Sequence, residues 1–285
     1  MSIFSKPGKQ EMKLEEVVSL MSKLKLPISL VFTPVNLREE KEKFLNSDIY
    51  EPVFKYRGVR NNNEEILKRL SSLELITDVD PRISDFYIQL IASKNDSNVL
   101  MNAVGNNELV TEVSYRKYGV PTPLLFRNAS RILRGNTSGY NIIKPPVIKE
   151  SDIFHYEKIK EIFNLVFEHF GLNDWEVQAS SNIQRNSIKV GVKSKWVIMD
   201  PNIGRSKFKL KKSLIHEVGT HVFRSVNGLN TKIEALSKPN LPKYLDIEEG
   251  LAIWNESDMN LLTLMNFKKS ASFVYAVYIG EQLSF

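Results

Sequence analysis

Two histidines five residues apart, with a glutamate directly after the first, form the stretch Ser213-Leu214-Ile215-His216-Glu217-Val218-Gly219-Thr220-His221. The run contains no proline and continues through apolar residues, so it reads as a helix. That helix must carry two imidazoles and an acid, and the rest of the chain must accommodate them. In a regular α-helix, at roughly 100° per residue, positions i and i+5 point about 140° apart, which suits a single shared metal poorly. One inserted residue, as a π-bulge, returns them to one face, and such bulges favour functional sites. Gly219 is the residue best able to tolerate that change. The spacing therefore predicts a helix distorted near Gly219.

The chemistry of these residue types is that of a mononuclear zinc hydrolase. Such a site needs three protein ligands, one open position and a base beside it. His216 and His221 can supply two imidazoles, and Glu217 is placed to take a proton from water and return it to a leaving group. The chain has no cysteine, so any metal must use histidine and carboxylate. The third ligand comes from elsewhere. Glu249 lies 28 residues after His221 in Glu248-Glu249-Gly250-Leu251-Ala252, long enough for a loop and a returning helix. Gly250 would allow close approach beside the metal. The ordinary alternatives are a structural histidine pair and a helix start with acids in its first turn. Two such signals together favour metal binding.

The chain is organised as a mostly helical first half and a mixed second half. Apolar spacing predicts helices over 10–25, 37–45, 64–76, 83–93, 97–103, 107–117 and 124–133, with a buried extended piece at 28–33 and irregular chain at 50–58. Residues 135–150 combine glycine, serine, asparagine and a Pro-Pro pair and form the boundary candidate. The expected division is 1–140, mostly helical, and 141–285, catalytic. Beyond the boundary, a helix capped by Ser151-Asp152 runs to Phe170 and Gly171. Ile159, Ile162, Phe163, Val166, Phe167 and Phe170 face inward. Strand-like runs at 175–179, 187–192 and 195–199 suggest a small antiparallel meander ahead of the His216 helix. An edge strand there would suit an extended peptide substrate. Asn227-Gly228 reads as a helix end with a left-handed glycine, and 261–285 as a final helix.

Net charge is +6 over 285 residues. A solubilising use of lysine accounts for most of it; no nucleic-acid motif accompanies the charge, so no nucleic-acid partner is expected. Arg205, Lys207, Lys209, Lys211 and Lys212 precede the site helix. They read mainly as a solvated helix entry, and secondarily as a lure for an acidic peptide tail. Arg224, three residues after His221, is a candidate anchor for a substrate carboxylate or a structural ion-pair member. Asn255 and Glu256 are candidate partners that orient the ligands. No apolar run spans a bilayer and no signal-peptide core opens the sequence, so a cytoplasmic protein without a membrane partner is the expectation.

His-Glu-Val-Gly-Thr-His with Val-Asn-Gly, followed by Glu-Glu-Gly-Leu-Ala, resembles the tyrosine carboxypeptidase family of zinc proteases. That family includes eukaryotic microtubule-associated members and bacterial proteins with a Gln-Glu-Gly-Leu-Ala motif. The likeness extends to Thr33-Pro34-Val35-Asn36-Leu37, to Phe54-Lys55-Tyr56-Arg57 and to Ser213-Leu214-Ile215. The resemblance implies one zinc ion on His216, His221 and an acid of the second motif, with Glu217 as catalytic base. Glu249 is the chosen third ligand and Glu248 the alternative. It further implies an α+β, zincin-like metalloprotease acting on a peptide or protein C-terminus. Glu248 stands where the bacterial motif usually has glutamine. Family members generally continue past the position of Phe285, so substrate groups beyond it are expected to be missing here. Two rivals remain: a metal-retaining but non-catalytic binding protein, and a peptidase of endo- or aminopeptidase type.

Overall fold

The computed structural model describes residues 10–59, 61–181, 183, 186–231, 233–238, 241, 243 and 245–282. The fold is α+β and divides into two units, Met1–Gly119 and Val120–Phe285. The first contains β1 (Gln10–Met12), α1 (Leu14–Ser22), α2 (Ile28–Val31), α3 (Leu37–Leu45), α4 (Asn63–Ser71), β2 (Leu73–Ile76), α5 (Pro81–Asn102) and α6 (Asn107–Tyr118). Helix α3 has the predicted bounds; Arg38–Glu42 and Lys43–Glu39 pairs lace its exposed face. Helix α5 begins where Asp80 accepts the Arg82 N–H at 2.9 Å with Pro81 in the first turn. It continues through the polar stretch 93–97 that the sequence read as a break. Tyr87, Leu90, Ile91, Leu100 and Met101 bury one stripe along its whole length.

Two local expectations give way, the first of them to tertiary pairing. Residues 10–12 and 73–76 are not helix ends: β1 and β2 pair in parallel, with Met12 opposite Ile76. Both partners are buried, so the core selects the extended form over helix propensity. Residues 28–31 form a helical turn rather than an extended piece, closed by Phe32 N–H to the Ile28 carbonyl at 3.0 Å. The segment 50–58 is irregular as expected. Its backbone is fixed by the buried Glu40 carboxylate, which accepts Val53 N–H at 2.7 Å and the Tyr50 hydroxyl at 2.8 Å.

The second unit contains α7 (Pro123–Leu133), β3 (Ile153–His155), α8 (Tyr156–His169), β4 (Glu176–Ala179), β5 (Ile188–Gly191), β6 (Trp196–Met199), β7 (Gly204–Ser206), α9 (Lys207–Ser213), α10 (Phe223–Asn230), α11 (Gly250–Asp258) and α12 (Leu264–Gly280). A π-helical stretch, Leu214–Val222, joins α9 to α10, and a second, Leu245–Glu249, leads into α11. Helix α7 packs on α12 through Ala129, Ile132 and Ala271, with Phe126 stacked on Tyr278 at 4.1 Å. Gly171 ends α8 with φ 66°, as predicted for a left-handed position.

The three-stranded sheet is mixed, correcting the antiparallel meander. Its order is β4-β6-β5, with β4 parallel and β5 antiparallel to β6. Strand β6 takes the centre because Val197 and Met199 are its fully buried residues. Two further short strands, β3 and β7, pair separately and antiparallel. Ile159, Phe163 and Phe167 of α8 pack against Val177, Val197 and Met199 of the sheet and against Val218 and Val222 of the π stretch. Phe170, expected inside, is exposed and meets Phe223 edge-on. Phe163 is fully buried at the middle of this cluster. Phe163→Ala is expected to destabilise the protein by about 3–5 kcal/mol, because the transfer loss and the cavity add; denaturant unfolding measures it.

Candidate metal centre

The site helix is fixed by its buried face. Ser206 caps α9 by accepting Lys209 N–H at 3.3 Å. Leu210, Val218 and Val222 anchor successive turns in the core. Both junctions of the Leu214–Val222 stretch keep right-handed helical dihedrals, so α9, the π stretch and α10 form one continuous helix. The distortion predicted from the i, i+5 spacing is therefore present. It brings the His216 and His221 rings to 5.1 Å between centroids. A methyl group at Gly219 would meet only the Leu214 carbonyl, at 3.9 Å, so lack of space is not what places glycine there.

Glu249 arrives on the second π turn, which the sequence did not foreshadow. One ligand atom from each of His216, His221 and Glu249 lies within 4.8 Å of the other two. His216 Nε2 is 3.6 Å from Glu249 Oε2, and His221 Nε2 is 3.6 Å from Glu249 Oε1. Two ligands about 2.1 Å from one zinc at a tetrahedral angle would be about 3.4 Å apart, so the spacing is close to that of a ligand set.

The opposite nitrogens explain the orientation. His216 Nδ1 donates to Glu256 Oε1 at 2.9 Å, and His221 Nδ1 donates to Glu248 Oε1 at 2.5 Å. Both carboxylates are buried, 4% and 5% exposed, and accept only. Each ring in its neutral form therefore keeps its proton on Nδ1 and presents a lone pair on Nε2. Two lone pairs then face a carboxylate, all acceptors, an arrangement that a cation satisfies. Each carboxylate has its own counter-ion: Lys212 Nζ is 2.9 Å from Glu256 Oε2, and Arg224 Nε is 2.8 Å from Glu248 Oε2. Asn255 Nδ2 donates to Thr220 Oγ1 at 3.0 Å and ties α11 to the π stretch.

These contacts place the sequence candidates. His216, His221 and Glu249 come together, with Glu217 on the same cleft. Glu248 is turned away, both oxygens committed to His221 and Arg224. Arg224 donates to Glu248 and, through Nη1, to the Leu236 carbonyl at 3.2 Å, and does not line the cleft. Glu256 partners His216, as its candidacy suggested. Lys212, read from the sequence only as part of the basic run, pairs with Glu256; its signal is a place four residues before His216. Gly250 needs no close approach, since a methyl there would meet nothing within 4 Å.

The cleft beside the triad has a volume of about 1090 Å³. Phe267, Phe273, Ile253 and Leu262 give it an apolar wall; Arg205, Lys209 and Lys269 give it positive charge. Among the described residues, Lys209 and Lys269 have no ion-pair partner. Burial raises the Glu217 carboxyl above its ordinary range, partly offset by the two histidines, with Glu249 and Glu256 adding to the rise. Burial is the largest single influence and pulls the His216 ring down, but the Glu256 hydrogen bond and the charges of Glu217, Glu256 and Glu249 together outweigh it, and the net shift is upward.

No helix among the described residues is long and apolar enough to cross a membrane. A family model described as microtubule-associated tyrosine carboxypeptidase matches residues 42–282, most of the chain. No curated protein matches it.

Proposed function

The chain belongs to the microtubule-associated tyrosine carboxypeptidase family, and from that membership and the site geometry we propose a zinc-dependent carboxypeptidase with a zincin-like catalytic unit. The single observation that carries the metal assignment is the meeting of two Nε2 atoms and the Glu249 carboxylate at 3.6 Å. His216, His221 and Glu249 would hold one zinc ion, the His₂Glu set of catalytic zinc sites. Bound there, zinc supplies Lewis acidity, polarising the scissile carbonyl and acidifying water.

The chain's own residues do the rest. Glu217 follows a ligand histidine directly and lines the cleft. Its carboxylate takes a proton from the attacking water and hands it to the leaving amine. Lys209 and Lys269, rather than Arg224, would meet the substrate's terminal carboxylate. Phe267 and Phe273 offer a surface for its side chain, and the positive lining favours acidic residues upstream.

The test is hydrolysis of a peptide ending in tyrosine, alongside the same peptide amidated at its C-terminus. Free tyrosine is expected from the first and nothing from the second, with about one zinc per chain by metal analysis and activity lost on chelation. Cleavage of both at an internal bond would replace the carboxypeptidase by an endopeptidase. Stoichiometric zinc without hydrolysis would leave a binding protein. A protein that takes up no zinc would end the metal reading.

A further inference from the structure

We infer that Gly228, remote from the cleft, sets zinc affinity by holding His221 in place through the Leu236 carbonyl, Arg224 and Glu248. The inference rests on the zinc site proposed above and adds positioning residues to it.

Gly228 was expected to end a helix in the left-handed region. It lies instead inside α10, which continues to Asn230, and it is buried. A methyl group on it would stand 2.3 Å from Leu236 O, 2.4 Å from Leu236 C and 2.5 Å from Ser237 N. All three are backbone atoms, so any larger residue must displace the 3₁₀ turn Glu234–Ser237. Glycine is required here for close approach rather than for an unusual dihedral.

The displaced carbonyl belongs to the relay. Leu236 O accepts Arg224 Nη1 at 3.2 Å, Arg224 Nε donates to Glu248 Oε2 at 2.8 Å, and Glu248 Oε1 accepts His221 Nδ1 at 2.5 Å. Arg224 and Gly228 are four residues apart on α10 and so share one helix face. The guanidinium links the turn to the buried carboxylate. With Leu236 O withdrawn, Arg224 loses the anchor that ties it to the turn, and Glu248 keeps a less rigid counter-ion in a buried place. Ligand orientation by such outer partners typically contributes 10–100-fold to metal affinity. The other histidine has a separate support, Lys212 and Glu256, with no atom in common with the turn.

The test measures zinc dissociation constants by chelator competition on wild type, Gly228→Ala, Arg224→Gln, Glu248→Gln and the double variant Gly228→Ala/Arg224→Gln, with thermal unfolding of each apoprotein alongside. Gly228→Ala and Arg224→Gln are each expected to weaken zinc roughly 10–100-fold, and the double variant no more than the weaker of its parents, because both act through one path. The visible spectrum of the cobalt-substituted protein should change in the same variants, which a loss of stability alone would not produce. If Gly228→Ala does not fold, Arg224→Gln and Glu248→Gln, singly and combined, apply the same criterion. Wild-type affinity in the folded variants, or losses that add, would overturn the relay while leaving the zinc site standing. Absence of zinc from the wild type would remove the site itself.

Discussion

Glu217→Gln is expected to retain zinc and to lose about 10²–10⁴-fold in peptide hydrolysis, the range that a positioned general base contributes. The substitution keeps shape and hydrogen-bonding reach but removes the proton acceptor. Glu217 makes no contribution to the triad of converging ligand atoms, so metal content should not follow activity downward. It lies on the same helix as the two histidines and lines the cleft. Its carboxyl is pushed upward chiefly by burial, so the amide should be tolerated or slightly stabilising, and the unfolding midpoint should not fall. Metal analysis, kcat/KM on a tyrosine-ending peptide and thermal unfolding together decide the outcome. Equal activity in both proteins would remove Glu217 from the mechanism. Loss of zinc alongside activity would make it a ligand or a ligand support.

How much of this site can be read in the sequence depends on how local each feature is. The His216–His221 spacing carries its own geometry. A shared metal at i, i+5 demands an inserted residue, and the π stretch Leu214–Val222 supplies it. The sequence offers Glu249 as the third ligand with Glu248 as the alternative, because adjacent residues on a helix start look alike until the turn is known. The second π turn, Leu245–Glu249, sends the two acids in different directions, Glu248 to His221 Nδ1 and Arg224, and Glu249 to the two Nε2 atoms. Lys212 is visible in the sequence only as one charge of a basic run, and Arg224 as either a carboxylate anchor or an ion-pair member; which buried acid each meets decides its place. In the fold, α3 follows from its own side-chain pairs, and Gly171 from local backbone conformation. Strands β1 and β2 do not, since four apolar-rich residues at a helix end, Leu73–Ile76, take the extended form only when Gln10–Met12 lies alongside. The parallel placing of β4 beside β6 is likewise a long-range outcome, set by which strand buries most, and short turns alone suggest the antiparallel alternative.

Glu249→Ala is expected to weaken zinc by on the order of 100-fold or more and to abolish hydrolysis with it. Zinc held by about four groups binds with roughly 10–16 kcal/mol in structural sites, which is roughly 3 kcal/mol per ligand, and each 1.4 kcal/mol is about tenfold. The comparison that gives this meaning is the neighbouring acid. Glu248 has one oxygen on His221 Nδ1 and the other on Arg224 Nε, and it is 5% exposed. Neither oxygen is directed to the Nε2 side, where Glu249, with 43% of its side chain exposed, faces both rings. An amide at 248 can still accept from His221 Nδ1, so Glu248→Gln should weaken zinc by no more than about 10–100-fold and leave measurable turnover at saturating metal. Adding zinc separates the two. Turnover should return in Glu248→Gln as the metal concentration rises through its new dissociation constant. It should not return in Glu249→Ala, where the third ligand is gone at any concentration. If the two variants exchange these behaviours, Glu248 is the ligand and the second π turn must rotate on binding metal.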